Sequence, residues 1–448
     1  MHAVLLAALL VVSGGRIQGS AVRPLQQAID RAHAGDTIIA GEGVHEGNLT
    51  VKKRLTLIGE GNAVLRGEGT GSVVTLLADS CTIRGLVIEH SGTMLVDEDA
   101  GILVKSDHNR IEENTFRDIL FGMYFYHAGG NSVAGNTITG RASLGLGERG
   151  SGIHIWNAND NVFIGNVITD TRDGFYIQNA SRMHIERNDV SHVRYGLHYM
   201  FADTNVFLNN RFSDNVAGAA IMYSKGIVFR GNVFVHNRGV SSFGVLFQDC
   251  HFTIADSNLI ADNVVGLFFE ASTDNTFRHN LIGHNDVALE MFQNSTANTF
   301  SENNFIDNIN PLLLIGKSTG SHWFSGGRGN YWSGYDGYDL DGDGIGDVPM
   351  KIQNVFQYLE GRNENLRLFL YSPMSQALAA AMTAFPIIEI NQEADPAPLM
   401  RPLDLPFQMP DGAETGAGAG RKAAFPLVAA LLITALVIAR YRNRPCSR

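Results

Sequence analysis

The sequence predicts an all-β fold, a right-handed parallel β-helix of about a dozen coils, on three observations. Asn-x-apolar triplets recur about every 22 residues. Glycines followed by alternating apolar residues recur in step with them, and a third apolar beat falls between the two. The triplets begin at Asn114, Asn136, Asn166, Asn188, Asn210, Asn232, Asn258, Asn280 and Asn303. Five of the eight gaps are 22 residues and the others are 30, 26 and 23, as expected when loops bulge from a coil that keeps its register. The glycine marker stands at Gly101, Gly122, Gly152, Gly174, Gly196, Gly218, Gly244 and Gly266, with its long gaps at the same places. Three short strands per period make a three-sided coil, each coil pairing its backbone with the next and laddering asparagine amides at the corners. Leucine-rich repeats have a similar period but require a Leu-x-x-Leu-x-Leu signature, which is absent.

The flanking elements follow in chain order. Residues 1–21 read as a signal peptide: residues 3–12 are an unbroken apolar run, followed by small residues at Gly19, Ser20 and Ala21. Residues 22–48 read as an N-terminal cap, with Leu25, Ala28, Ile29 and Ala32 on one face of a short helix that covers the open end of the rod. The β-helix is assigned to 49–348. Residues 349–422 form a C-terminal extension, with helical spacing at 374–385, a Pro-rich stretch at 396–410 and a Gly/Ala linker to Arg421. The extension suits docking against a membrane partner. Residues 423–439 are uncharged and aliphatic, the pattern of a single transmembrane helix. The arginines at 440, 442, 444 and 448 put the tail, 440–448, in the cytoplasm and the body outside.

The chain carries a formal charge of -11 and no concentrated basic face, which argues against a nucleic-acid partner. Three cysteines, Cys81, Cys250 and Cys446, are too few for a disulfide scaffold.

In each glycine-led strand the first and third residues after Gly are apolar and inward, so the second and fourth face outward. That outer face reads Tyr124 and Tyr126, His154 and Trp156, Tyr176 and Gln178, His198 and Met200, Ala220 and Met222. With coils about 4.8 Å apart, His198, Met200 and Met222 are placed to converge, with His154 further along the face. Imidazole with thioether is a soft donor set that suits copper, Cu(I) above all. The same patch equally suits a sugar, a docked protein or a covering loop. The stripe of Tyr124, Tyr126, Trp156 and Tyr176 is the kind of surface a polysaccharide lyase or C5-epimerase offers to sugar rings. A hydrolase's paired carboxylates are missing from it. Asp339, Asp341, Asp343 and Asp347 alternate with glycines as in the first half of a calcium loop, without a Glu at the twelfth position, so a structural calcium clip and a solvated acidic turn both fit.

The run Gly329-Asn330-Tyr331-Trp332-Ser333-Gly334-Tyr335-Asp336-Gly337-Tyr338 through Asp347, with Asp395-Pro396-Ala397-Pro398-Leu399-Met400-Arg401-Pro402 and the 22-residue repeats, resembles the NosD family, periplasmic maturation proteins of nitrous oxide reductase. The chain departs from that pattern at Met350, where Tyr is expected, and in having the anchor at 423–439. The resemblance implies an accessory protein with no reaction of its own. It implies work beside the permease and ATPase subunits of an ABC-type transporter, a copper chaperone lipoprotein and the reductase, helping to load a copper-sulfide centre.

Overall fold

The computed structural model describes residues 9–12, 24–353 and 393–407. The expected anchor at 423–439, the tail, and the helical stretch at 374–385 lie outside these residues, as does most of the expected signal peptide. Among the described residues no helix is long and apolar enough to cross a membrane. The described part of the N-terminal apolar run, Leu9–Val12, is a strand lying parallel to Thr37–Ala40.

Three parallel sheets run along a solenoid of about 13 turns. Two have 13 strands and one has 12. A representative coil is Val162–Ile164, Val167–Thr169, Asp173–Gln178, and the next is His184–Glu186, Asp189–Ser191, Tyr195–Met200. The third strand of each marked coil belongs to the 12-stranded sheet and starts one residue before the marker glycine, except after Gly152, where it starts one residue past it. The single α-helix among the described residues, α1 (Pro24–Arg31), buries Leu25, Ala28 and Ile29 against the first coils, as its spacing predicts. Coiling begins earlier than the sequence suggests: Thr37–Ala40 and Gly43–Glu46 already belong to the long sheets, inside the segment read as cap.

One continuous apolar core fills the rod, because every strand sends its inward residues into the same lumen. Phenylalanines stack from coil to coil: Phe207 on Phe229 with ring centroids 4.8 Å apart, and Phe212 on Phe234 at 5.1 Å. The corners are polar but satisfied. Asn114, Asn136, Asn166, Asn188, Asn210, Asn232, Asn258, Asn280, Asn303 and Asn330 form one ladder. In each rung the backbone N–H and the side-chain Nδ2 donate to the Oδ1 of the asparagine one coil on. The amide also donates to a core-strand carbonyl of the preceding coil, as Asn210 does to Ile185. The residue before the asparagine is often left-handed, as at Arg187 (φ 52°) and Asn209 (φ 55°), which turns the chain sharply enough to start the next side.

The glycine marker has a different cause. Its backbone is not left-handed, yet a Cβ on Gly196 would stand 2.6 Å from the Gly218 carbonyl oxygen, and one on Gly218 would stand 2.4 Å from that of Gly244. The column is glycine because successive coils touch there through bare backbone.

The far end is closed by a segment distant in sequence. Ala394–Asp395 pairs antiparallel with Met350–Lys351. Asp395 Oδ2 accepts from the Asn330 backbone N–H at 2.7 Å, from Asn330 Nδ2 at 3.2 Å and from Trp332 Nε1 at 3.0 Å, taking the place of the next asparagine. Glu393 accepts from Trp323 Nε1 at 2.8 Å and the Thr319 N–H at 2.8 Å. Leu399, Met400 and Leu403 continue the attachment through Asn330, Gly344 and Asn304. The described part of the extension is thus attached to its own rod, and most of the segment expected to dock against a partner lies outside the described residues.

Asn210→Ala removes the acceptor of two donors from Asn188 and the donor to Ile185, and should cost about 3 kcal/mol at one orphan penalty per broken rung. Denaturant unfolding of the full chain measures it. Gly196→Ala should also lower the unfolding midpoint, whereas an exposed substitution such as Val240→Ala should leave it within about 0.5 kcal/mol.

Candidate functional site

The outer surface of the 12-stranded sheet is built from register alone. Tyr124, His154, Tyr176, His198 and Ala220 are successive partners in one column, and Tyr126, Trp156, Gln178, Met200 and Met222 in the next. His198 and Met200 therefore share a face two residues apart on one strand, and Met222 lies beside Met200 on the following coil. Ala220, the neighbour of His198, has no bulk to fill the space that rings occupy in the coils before it. The register sets these three expected donors at neighbouring positions of one face. His154 stands two coils away in the same column, with Tyr176 between it and His198.

A buried carboxylate orients His198. Asp173 is fully buried and lies 3.2 Å from His198 Nδ1. It accepts a two-pronged bond from Arg194, Nε at 2.8 Å and an η-nitrogen at 2.7 Å. Burial pushes the Asp173 carboxyl up, but hydrogen bonds from His198 and Arg194 outweigh it and hold the group below the usual carboxylate range. An ionised carboxylate can only accept, so the contact with Asp173 at 3.2 Å calls for a proton on Nδ1, whereas Arg194, a donor only, stands 3.4 Å from the same nitrogen; with the shorter contact made, the Nε2 lone pair is left available. Metal-bound histidines usually have a backing partner of this kind on their other ring nitrogen. Arg194 also lies 4.6 Å from the Tyr195 ring centre.

Before His198 the column is an aromatic pile. The His154 ring lies 4.3 Å from both the Tyr124 and the Tyr176 rings, nearly parallel to each, with Phe121 edge-on at 5.5 Å. Burial, with the Arg172 charge second, pushes the His154 pKa down to about 3, so it is neutral at physiological pH. Tyr124 was expected on an open binding surface. It is instead 5% exposed, with its hydroxyl donating to Glu98 at 2.6 Å. The chain at Gly150 packs on Leu120 and Phe121. Protein rather than solvent covers Tyr124, while His154 and Tyr176 stay part-exposed. Tyr126 and Trp156 remain part-exposed, with ring centres 4.9 Å apart, and the Tyr176 hydroxyl donates to Gln178.

The acidic loop keeps three of its four expected members together: one carboxylate oxygen each from Asp339, Asp341 and Asp343 lies within 4.8 Å of the others. Asp347 turns away to accept from the Leu340 N–H at 2.6 Å. Asp339 accepts from the Gly342 and Gly344 N–H groups, Asp341 from Asp343 and Asp343 from Ile345. These are turn bonds, and they account for the carboxylates without a cation. Cys81 and Cys250 are free and buried, and burial pushes the Cys250 thiol up to about 12, which leaves it inert.

Asp173, Arg172 and Arg194 were absent from the expected site. Asp173 reads as a turn acid because it abuts a glycine. The available signal was its column: the positions equivalent to it in later coils are Tyr195, Ala217, Phe243 and Val265, so one charge stands in a row of otherwise uncharged, mostly apolar residues.

Fold and face define a parallel β-solenoid with the candidate site on its flat side wall. Residues 130–337 match the family model described as "Periplasmic copper-binding protein (NosD)". Two curated relatives bear the name "Probable ABC transporter binding protein NosD". That of Pseudomonas aeruginosa is 30% identical over 375 residues, covering 80% of this chain and 87% of the relative. That of Stutzerimonas stutzeri is 28% identical over 376 residues, covering 80% and 85%. The chain belongs to the NosD family, a family of periplasmic proteins. Among solved structures it is similar to the A-module of mannuronan C-5 epimerase AlgE6 from Azotobacter vinelandii, with TM-score 0.56 and 14% identity over 67% of this chain and 93% of that one. It is also similar to the catalytic domain of a GH87 α-1,3-glucanase, with TM-score 0.57 and 13% identity over 72% and 69%. At such identities the likeness is one of fold alone.

The depressed His154 pKa has a consequence for stability. The unfolded chain takes up this proton near pH 6.5 and the folded chain only near 3, so the contribution of neutral His154 is present above pH 6.5 and is lost as pH falls. Arg172, Asp173 and His198 are the charged or titratable groups that act on it, and they keep their charge pattern in a His154→Phe variant. Thermal unfolding of wild type should fall between pH 6.5 and 4.5 by more than that of His154→Phe; equal slopes would contradict the buried neutral ring.

Proposed function

We propose that this protein is a periplasmic accessory factor for the maturation of nitrous oxide reductase, working without a reaction of its own to help load the copper-sulfide centre. It does so beside the permease and ATPase subunits of an ABC-type transporter and a copper chaperone lipoprotein, held at the inner membrane by residues 423–439. Copper is cargo in this reading. His198, Met200 and Met222 hold it in passing, His198 through Nε2 and the methionines through sulfur. Family membership and the relatives' association with an ABC transporter support the assignment.

The single observation that carries the copper step is the pairing of the Asp173-oriented His198 with two thioethers in register. The donors fit a soft monovalent ion: imidazole and thioether favour Cu(I) over hard cations, and no carboxylate competes for a place among them. Met200 and Met222 are partly exposed and the His198 side chain is 14% exposed, which allows entry and release from the side wall. A surface rather than an enclosed pocket suits transfer between partners, because cargo must leave as readily as it arrives. His154, stacked and two coils away, belongs to the supporting pile in this reading.

Cu(I) titration of the full chain under reducing conditions tests this. Wild type should bind one ion, and a His198→Ala, Met200→Ala, Met222→Ala variant should lose the binding. Asp173→Asn should weaken it about tenfold by freeing the imidazole. A strain carrying the triple variant should make reductase protein that lacks its copper-sulfide cluster. Undiminished copper binding by the triple variant would remove this face from the pathway.

A further inference from the structure

On a different side of the rod from His198, in the 13-stranded sheet that runs from Gly43–Glu46 to Tyr331–Trp332, three successive coils leave a cavity of about 460 Å³. Arg66, Glu89, His90, Arg117 and Asp118 line it, and none of them is apolar. Register sets Arg66, Glu89 and Arg117 in one column. Glu89 is the buried member, 7% exposed. One of its oxygens accepts from Arg66, through Nε and an η-nitrogen at 2.7 Å each, and the other from Arg117 Nε at 2.7 Å. Burial pushes the Glu89 carboxyl up, but these bonds outweigh it and hold the group below the usual carboxylate range. Asp118 accepts from His90 Nδ1 at 2.9 Å and from Arg141 Nε at 2.8 Å, and it is held low in the same way. The strand Thr115–Ile119 bulges here. Thr115 and Phe116 pair with Thr137 and Ile138, and Ile119 with Gly140, so Arg117 and Asp118 together face the single Thr139. Bulges of this kind re-aim side chains and gather beside functional sites. The charges are local: in the following coils the column holds Thr139, Thr169, Ser191 and Ser213.

Charge is balanced around this cavity, whereas hydrogen-bonding capacity is left over. Arg66, Arg117 and Arg141 stand against Glu89, Asp118 and Glu46, the register partner of Arg66 on its other side. An ion of either sign meets like charge one coil away, and an apolar ligand would strip water from groups it cannot satisfy. Arg117 spends only Nε on Glu89, which leaves its two η-nitrogens as donors. Asp118, an acceptor only, calls for the His90 proton on Nδ1, so the Nε2 lone pair is available. The second Glu89 oxygen and both Asp118 oxygens carry one donor each and have a further lone pair. Neighbouring donors and acceptors without net charge match hydroxyl groups, each of which gives one bond and accepts others. We infer that Arg66, Glu89, His90, Arg117 and Asp118 form a binding site for an uncharged polyhydroxylated ligand, a sugar unit, independent of any copper at His198, Met200 and Met222. Its hydroxyls donate to Glu89, Asp118 and His90 and accept from the Arg117 η-nitrogens. The volume lies within the roughly 300–1,000 Å³ of small-molecule sites.

Ligand-observed NMR titration of the full chain with glucose, galactose and mannose tests the site, with acetate and glycine as the anionic and zwitterionic counterparts. Saturable binding of at least one hexose is expected, with acetate and glycine silent. Arg117→Met removes the η-donors from a half-exposed side chain and should weaken binding about tenfold, the worth of one hydrogen bond to a charged group. Should that variant fail to fold, Asp118→Ala, also half-exposed, carries the same expectation. The exposed Arg187→Gln, in a later coil, should bind as wild type. Absence of saturable hexose binding, or equal binding by wild type and both site variants, overturns the inference and leaves a solvated set of ion pairs. A hexose signal that survives both variants and vanishes in Trp156→Ala would put the sugar on the aromatic stripe and overturn it as well. Stronger binding of acetate or glycine would overturn the argument from balanced charge. The copper titration reads other residues, so either result can fail without the other.

Discussion

The structure depends on one contact made over and over: a coil must lie flat on the coil before it, at backbone distance, on all three sides. Everything else accommodates that spacing. Where backbone meets backbone at the start of the third side, even a methyl group intrudes, and the column is glycine from Gly101 to Gly266. Where the chain turns a corner its amides lose their sheet partners, and asparagine side chains replace them, each accepting from one coil and donating to another. In such a stack each coil contacts only its neighbours, so stability accumulates along the axis and no single coil has a core of its own.

That dependence explains what the sequence discloses. Spacing imposed by backbone contact leaves its mark in residue type, so the fold, the outward columns and the grouping of His198, Met200 and Met222 can all be read from Gly and Asn positions and strand alternation. Two kinds of fact escape this logic. What covers a face depends on insertions whose path no period dictates, and so Tyr124, legible as outward, proved buried beneath residues that include Glu98. Which polar group a buried charge engages depends on reach across coils, and so Asp173 read as a turn residue although it orients His198. The C-terminal attachment escaped for a third reason: Asp395 lies 65 residues from Asn330 and belongs to no repeat.

The side wall gains its properties from the same regularity. A residue type placed at one position recurs, or is exchanged, at the same height on the next coil, so a column is a one-dimensional surface that can be varied rung by rung. Aromatic rings occupy Tyr124 to Tyr176, a carboxylate-held imidazole follows, and thioethers come next in the adjoining column. The wall thus changes from stacked and dry to polar to soft over a few coils without any change of backbone. Enzymes of similar fold, such as the AlgE6 epimerase module, share the wall, and in this chain the residues mounted on it are its own.

The asparagine ladder behaves like a growing polymer, each unit accepting through Oδ1 at its near end and presenting at its far end the same N–H donors as the unit before it. Any further coil of like sequence could in principle add to it, including one from another molecule, because an open parallel edge is a template. Asp395 is a chain terminator in that sense. Its Oδ2 takes the two Asn330 donors that the next asparagine would take, with Trp332 Nε1 as a third, but the carboxylate has no N–H of its own to pass onward. A residue from outside the repeat thus stands where the next asparagine of the ladder would stand.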